Sequence, residues 1–194
     1  MSATVAGEEA QEAGREGVQR AKRWLEGTGR VNVYWTVYEH ASMLGVPRPG
    51  GGKRSFDMSG VILGGDLDGH QLYAEVKRHS NPRNQAKAYG DYLANCYCKM
   101  LRDPDRPYQF MWITWHPFSQ TKWTRLCEWD EVRDEVSRRQ TEWLGSKILV
   151  DDDLCRLVAD RLWLIVLSDK QEQLRMSDEM LAEVRKTATI RTKR

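Results

Sequence analysis

Phe56-Asp-Met-Ser-Gly-Val-Ile-Leu63, the link Gly64-Gly-Asp-Leu-Asp-Gly69 and Leu72-Tyr-Ala-Glu-Val-Lys-Arg-His79 decide how this chain folds. In the last segment Leu72, Ala74 and Val76 alternate with Tyr73, Glu75 and Lys77, the two-residue period of a β-strand with one apolar face. The same period puts Phe56, Met58 and Ile62 on one face of the first segment and Asp57 and Ser59 on the other. The link, rich in glycine and aspartate, reads as a hairpin connection, so the two strands are expected to be neighbours. Asp57, Glu75 and Lys77 would then face one shallow pocket. Two carboxylates are hard oxygen donors that suit Mg²⁺ or Mn²⁺, and the backbone carbonyl of Val76 can add a third oxygen. A lysine beside them supplies positive charge to an attacked phosphate.

Outward from these strands, residues 8–26 read as an amphipathic helix with Ala10, Ala13, Gly17, Ala21, Trp24 and Leu25 on one face, ended by Gly27-Thr-Gly29. Val31 to Tyr38 is rich in branched and aromatic residues and reads as a strand. Downstream, Asn81-Pro82 opens a helix with a cap residue followed by proline. Along that helix Tyr89, Tyr92, Leu93, Cys96, Tyr97 and Met100 form an apolar stripe, and Gln85 extends it. Tyr108 to Trp115 is apolar on both faces, as an interior strand is. The order is αβββαβ, an α/β core of about residues 8–116 with a mixed central sheet flanked by helices. Helical and strand additions follow over 117–194: a helix over 128–144, a helical turn over 154–159, a buried strand over 162–167 and a last helix capped by Ser177. All of it is expected to form a single domain.

With those residues in place, the sequence resembles the PD-(D/E)xK nuclease superfamily, whose fold is restriction-endonuclease-like. Asp57 matches its first metal-binding acid, Glu75 the second and Lys77 the catalytic lysine; Phe56 stands where the family usually has proline. Gln85-Ala-Lys-Ala-Tyr89 resembles the Q-x-x-x-Y helix motif of the branch related to RecB-type nucleases, which makes Gln85 a further site residue. The resemblance implies a Mg²⁺- or Mn²⁺-dependent hydrolase of phosphodiester bonds. It also implies a DNA endonuclease ahead of an RNA nuclease, serving in restriction, phage defence or repair. Many relatives add a glutamate from the first helix, but Val18 falls near that position, and Glu9 and Glu16 read as surface residues. Double-strand cutting calls for two active sites and so implies a homodimer or a partner protein.

Composition adds bounds. The 194 residues carry a formal net charge of +2, so phosphate affinity must come from local basic clusters. These are Lys77-Arg78-His79 with Arg83 and Lys87, the loop Arg48 to Arg54, and the tail from Arg185 to Arg194; loop and tail also read as flexible segments. Cys96, Cys98, Cys127 and Cys155 lack zinc-like spacing and read as reduced thiols. No run of eighteen apolar residues and no apolar signal core occurs, which points to a soluble, cytoplasmic protein without a membrane partner. The tryptophans read as core, with Trp115-His116 and Lys122-Trp123 as the pairs that could stack on a base. Three other readings stand beside the enzyme: an exposed Glu75-Lys77 ion pair, a nuclease-fold module that binds nucleic acid or assembles without cleaving, and an interaction protein whose Trp-rich surface docks a partner.

Overall fold

Strand alternation and one interrupted strand organise the molecule, a computed structural model that describes the backbone of residues 2–78 and 82–192 and the side chains of 11–78 and 84–187. The readings of Glu9, His79, the Asn81 cap, Arg83 and the basic end Arg191 to Arg194 fall outside those described side chains. The elements run α1 (Ser2–Gly27), β1 (Val31–Thr36), α2 (Val37–His40), β2 (Gly45–Pro47), β3 (Lys53–Ser55), β4 (Met58–Ile62) and β5 (Gln71–Lys77). They continue as α3 (Pro82–Arg102), β6 (Tyr108–Thr114), α4 (Trp129–Arg138), α5 (Gln140–Trp143), α6 (Asp152–Ala159), β7 (Leu162–Val166), α7 (Asp169–Glu172) and α8 (Asp178–Thr192).

The main sheet is mixed, in the order β1-β4-β5-β6-β7, with β2 and β3 forming a separate two-stranded ribbon. β4 is antiparallel to both β1 and β5, and the β4–β5 hairpin pairs Met58 with Ala74 and Ser59 with Tyr73. β6 and β7 continue parallel to β5. The α/β class, the mixed sheet and the αβββαβ order of the large elements are thus present. The ribbon inserted between β1 and β4 lies where a flexible loop was expected.

Two apolar layers hold the sheet. On one face, Val18, Ala21 and Leu25 of α1 pack on Val33, Met58, Ile62, Leu72, Ala74 and Val76. On the other, the α3 stripe from Tyr89 to Met100 meets Phe56, Tyr73, Phe110 and Trp112, with α4 and α6 behind it. Because α3 is covered on its outer side as well, Cys96 and Cys98 are both buried although they point in different directions. β6 is buried along its whole length. β7 is a half-buried edge strand rather than the buried one expected, and its Trp163 is exposed on the solvent side. Glycine is required at Gly60, where an added Cβ would lie 2.2 Å from the Asn32 carbonyl oxygen.

Phe56 does not share a face with Met58. The chain bends at Asp57, β4 begins only at Met58, and Phe56 packs in the α3 layer while Met58 packs in the α1 layer. Phe56 is fully buried, with its ring centroid 5.1 Å from Tyr73 and 6.0 Å from Phe110. Phe56→Ala should cost about 3–5 kcal/mol and lower the melting temperature by about 10 °C in a thermal unfolding scan. An unchanged midpoint contradicts this packing.

Candidate active site

Asp57 is positioned by the main chain. Its N–H bonds the Ala74 carbonyl at 3.0 Å and its C=O accepts from Val37 at 2.8 Å. Its carboxylate Oδ2 accepts the Val76 N–H at 2.7 Å, standing where a strand carbonyl would continue the β4–β5 ladder. In an extended strand the N–H and C=O of one residue leave on the same side, so the Val76 carbonyl is directed beyond the end of β4 as well.

Lys77 draws the two acids together. Its Nζ donates to Glu75 Oε1 at 2.7 Å and lies 3.6 Å from Asp57 Oδ2. Glu75 is 4 % exposed, far from the solvated ion pair that an acid and a lysine two apart on a strand usually form. Burial, with the charge of Asp57 added, pushes the Glu75 carboxyl up to about 7, against the pull of Lys77 and Arg54. Burial draws the Lys77 ammonium down, but the charges of Glu75 and Asp57 and the Glu75 hydrogen bond outweigh it, and the net shift is upward. One ammonium is therefore shared by two carboxylates in a poorly solvated place.

Gln85 lies close by on α3, fully buried, and its Oε1 accepts the Thr114 hydroxyl at 2.9 Å. Thr114 is the β6 residue in register with Lys77. All four residues picked out in the sequence, Asp57, Glu75, Lys77 and Gln85, thus gather at one end of the sheet with the main chain of Val76. Glu16 is not among them: it forms an ion pair with Arg78, and Val18 is core.

Three residues around the site carried no motif. Arg54 of β3 approaches Glu75 Oε1 at 3.9 Å and Asp91 Oδ2 at 3.9 Å. Asp91 is held in turn by Arg139 Nε at 2.7 Å. Tyr38 follows β1 on the other side, and burial together with the charge of Asp57 raises its phenol. Only Arg54 had a sequence signal, as a member of the basic loop. Elsewhere in that loop Arg48 lies over the Trp143 ring at 5.0 Å and bonds Glu142, the Gly50 N–H bonds the Trp143 carbonyl, and Lys53 is exposed.

Beyond Arg78 a cleft of about 600 Å³ opens at the ends of β6 and β7, lined by Arg20, Trp115, His116 and Asp169 among others. Arg20 is engaged there by Asp169 and Glu172, and the Trp115 indole N–H bonds Glu172 at 2.7 Å. The Lys122-Trp123 pair is taken up in packing, with Trp123 edge-on to Phe118 and Lys122 paired with Glu131.

The donors at the sheet end are all oxygen: two carboxylates and a directed carbonyl. That set fits Mg²⁺ or Mn²⁺, which take one or two carboxylates and fill the remaining positions from water and substrate phosphate. Among the described residues no group of three or more His, Cys, Asp or Glu comes together to cage a metal. Two carboxylates that share a single lysine ammonium in a poorly solvated place are the feature that a divalent cation would compensate. Among the described residues no helix is long and apolar enough to cross a membrane. No protein-family model, no curated protein and no solved structure matches the chain.

The raised Glu75 carboxyl has a consequence for stability. Between 4.5 and about 7 the folded chain binds more protons here than the unfolded chain does. Its contribution is therefore complete below pH 4.5 and is lost as pH rises through about 7. In metal-free protein, denaturant unfolding at about pH 5 and about pH 8 should show wild type losing stability relative to Glu75→Gln over that interval. Parallel pH profiles contradict a buried, strained Glu75.

Proposed function

We propose that this chain is a divalent-metal-dependent nuclease with a restriction-endonuclease-like fold, hydrolysing phosphodiester bonds, with DNA as its substrate. The observation that carries the reading is the convergence of Asp57, Glu75 and Lys77, with one lysine nitrogen 2.7 Å and 3.6 Å from the two carboxylates. Two acids crowded in a buried place are costly unless a cation compensates them, and Lys77 is the only side chain within hydrogen-bonding distance of Glu75 among the described residues. A bound Mg²⁺ or Mn²⁺ supplies Lewis-acid charge and a water of lowered pKa.

The chain's own groups divide the remaining work. Asp57 and Glu75, with the Val76 carbonyl, form the oxygen cradle. Lys77, released from its two acids, stands beside the phosphate and donates to its non-bridging oxygens, where negative charge builds up in the transition state. The Thr114–Gln85 pair joins β6 to α3 at the level of Lys77, and the Lys77 ammonium lies 5.9 Å from the centroid of the Trp112 ring. DNA is preferred over RNA on the family resemblance alone.

A structural role also has an observation in its favour, since Lys77 already satisfies both acids. Activity separates the two roles. Purified protein incubated with supercoiled plasmid, linear duplex, single strand and RNA should cleave DNA with Mg²⁺ or Mn²⁺ and not with chelator. Asp57→Ala and Lys77→Ala should each lower the rate by on the order of 100- to 1000-fold while circular dichroism shows an intact fold. Cleavage at close to the wild-type rate in either variant, or none by wild type on any substrate, contradicts the proposal.

A further inference from the structure

We propose that Arg54 is a substrate-binding residue of this site, clamping the oxygens of a backbone phosphate; the inference rests on the nuclease reading of Asp57, Glu75 and Lys77. Arg54 and Lys77 are directed at the same atom, Glu75 Oε1, from 3.9 Å and 2.7 Å. The two cations thus converge on one carboxylate oxygen of the candidate site. They differ in how they are engaged. Lys77 makes a close hydrogen bond, whereas both carboxylate contacts of Arg54 lie at 3.9 Å, beyond hydrogen-bonding reach.

The other arginines nearby are committed. Arg48 serves Trp143, Glu142 and the Gly51 carbonyl. Arg139 serves Asp91, Glu135 and the Lys87 carbonyl. Arg78 serves Glu16. Among the described residues Arg54 instead makes no hydrogen bond to a carboxylate, and its side chain is 38 % exposed. A guanidinium fork matches two phosphate oxygens, which a single ammonium cannot do.

The backbone beneath Arg54 is anchored. Arg54 pairs with Val46 in the ribbon, whose turn is tied to Trp143 by the Gly50 N–H at 2.8 Å. Asp91, fixed by Arg139, holds the guanidinium loosely near the acids without neutralising it at contact distance. The anchored ribbon fixes the point from which the side chain reaches, so a phosphate has only the side chain left to order.

The test uses the full chain and a fluorescent DNA oligonucleotide, with Ca²⁺ in place of Mg²⁺, read by anisotropy across a salt series. Arg54→Ala should weaken binding by about 10-fold or more and reduce the slope of log K against log salt by about 1. Arg54→Lys should restore the salt slope more than the affinity. Melting temperature and Mn²⁺ affinity, measured by calorimetry on the same variants, should hold or, for Mn²⁺, tighten, because a like charge has been removed. A strut between the ribbon and α3 would instead lose thermal stability and Mn²⁺ affinity together with DNA binding, which overturns the proposal. So does Arg54→Ala binding like wild type, or a wild type that does not bind. Absence of cleavage by wild type with Mg²⁺ refutes the nuclease reading by itself, and is distinguishable because anisotropy reads the phosphate contact without turnover.

Discussion

The hydrogen bond from the Val76 N–H to Asp57 Oδ2, 2.7 Å long, ties the acid-bearing bend to the strand that carries Glu75 and Lys77. It puts a side-chain carboxylate where the β4–β5 ladder would otherwise place a carbonyl. With the Asp57 N–H and C=O both taken by neighbouring main chain, the carboxylate has little freedom to turn away from Glu75. The like-charge crowding at the sheet end is therefore imposed by backbone geometry. Phe56, buried in the aromatic layer immediately before the bend, holds that geometry from behind. Packing energy from the aromatic layer thus maintains an electrostatically unfavourable arrangement at the end of the sheet, as functional sites commonly require.

Much of this was legible in the residue order. The alternation from Leu72 to Lys77, the turn chemistry of the Gly64 to Gly69 link and the α3 stripe each report on neighbours close in sequence, and each appears in the structure as read. Gln85 was marked by its place on a buried stripe, and it is indeed buried and bonded to Thr114. The face of Phe56 differs from the one its alternation implies because the strand is not continuous through Asp57. A bend of one residue reverses every side chain on its far side. The β2–β3 ribbon leaves no sequence signal because three-residue strands among glycines and basic residues carry too little period.

The partners of Asp91 and Arg54 could not be read at all. Arg139 lies 48 residues from Asp91 along the chain, and a surface-type charge says nothing in sequence about which opposite charge it will meet. β7 read as buried for a similar reason: an apolar run specifies a strand, but only the sheet order decides whether that strand lies at an edge. The site therefore divides into an inner group, whose spacing is local and visible, and a surrounding group assembled by long-range packing.

Whether Asp57 and Glu75 share a cation in place of Lys77 decides what this end of the sheet does. Crystals soaked in Mn²⁺, with anomalous diffraction collected at the manganese edge, test this directly. The expected result is a peak about 2.1 Å from a carboxylate oxygen of each acid, with the Lys77 nitrogen moved off Glu75. A map with no peak there, and Lys77 still bridging both carboxylates, would contradict the metal-site reading and leave a structural ion cluster.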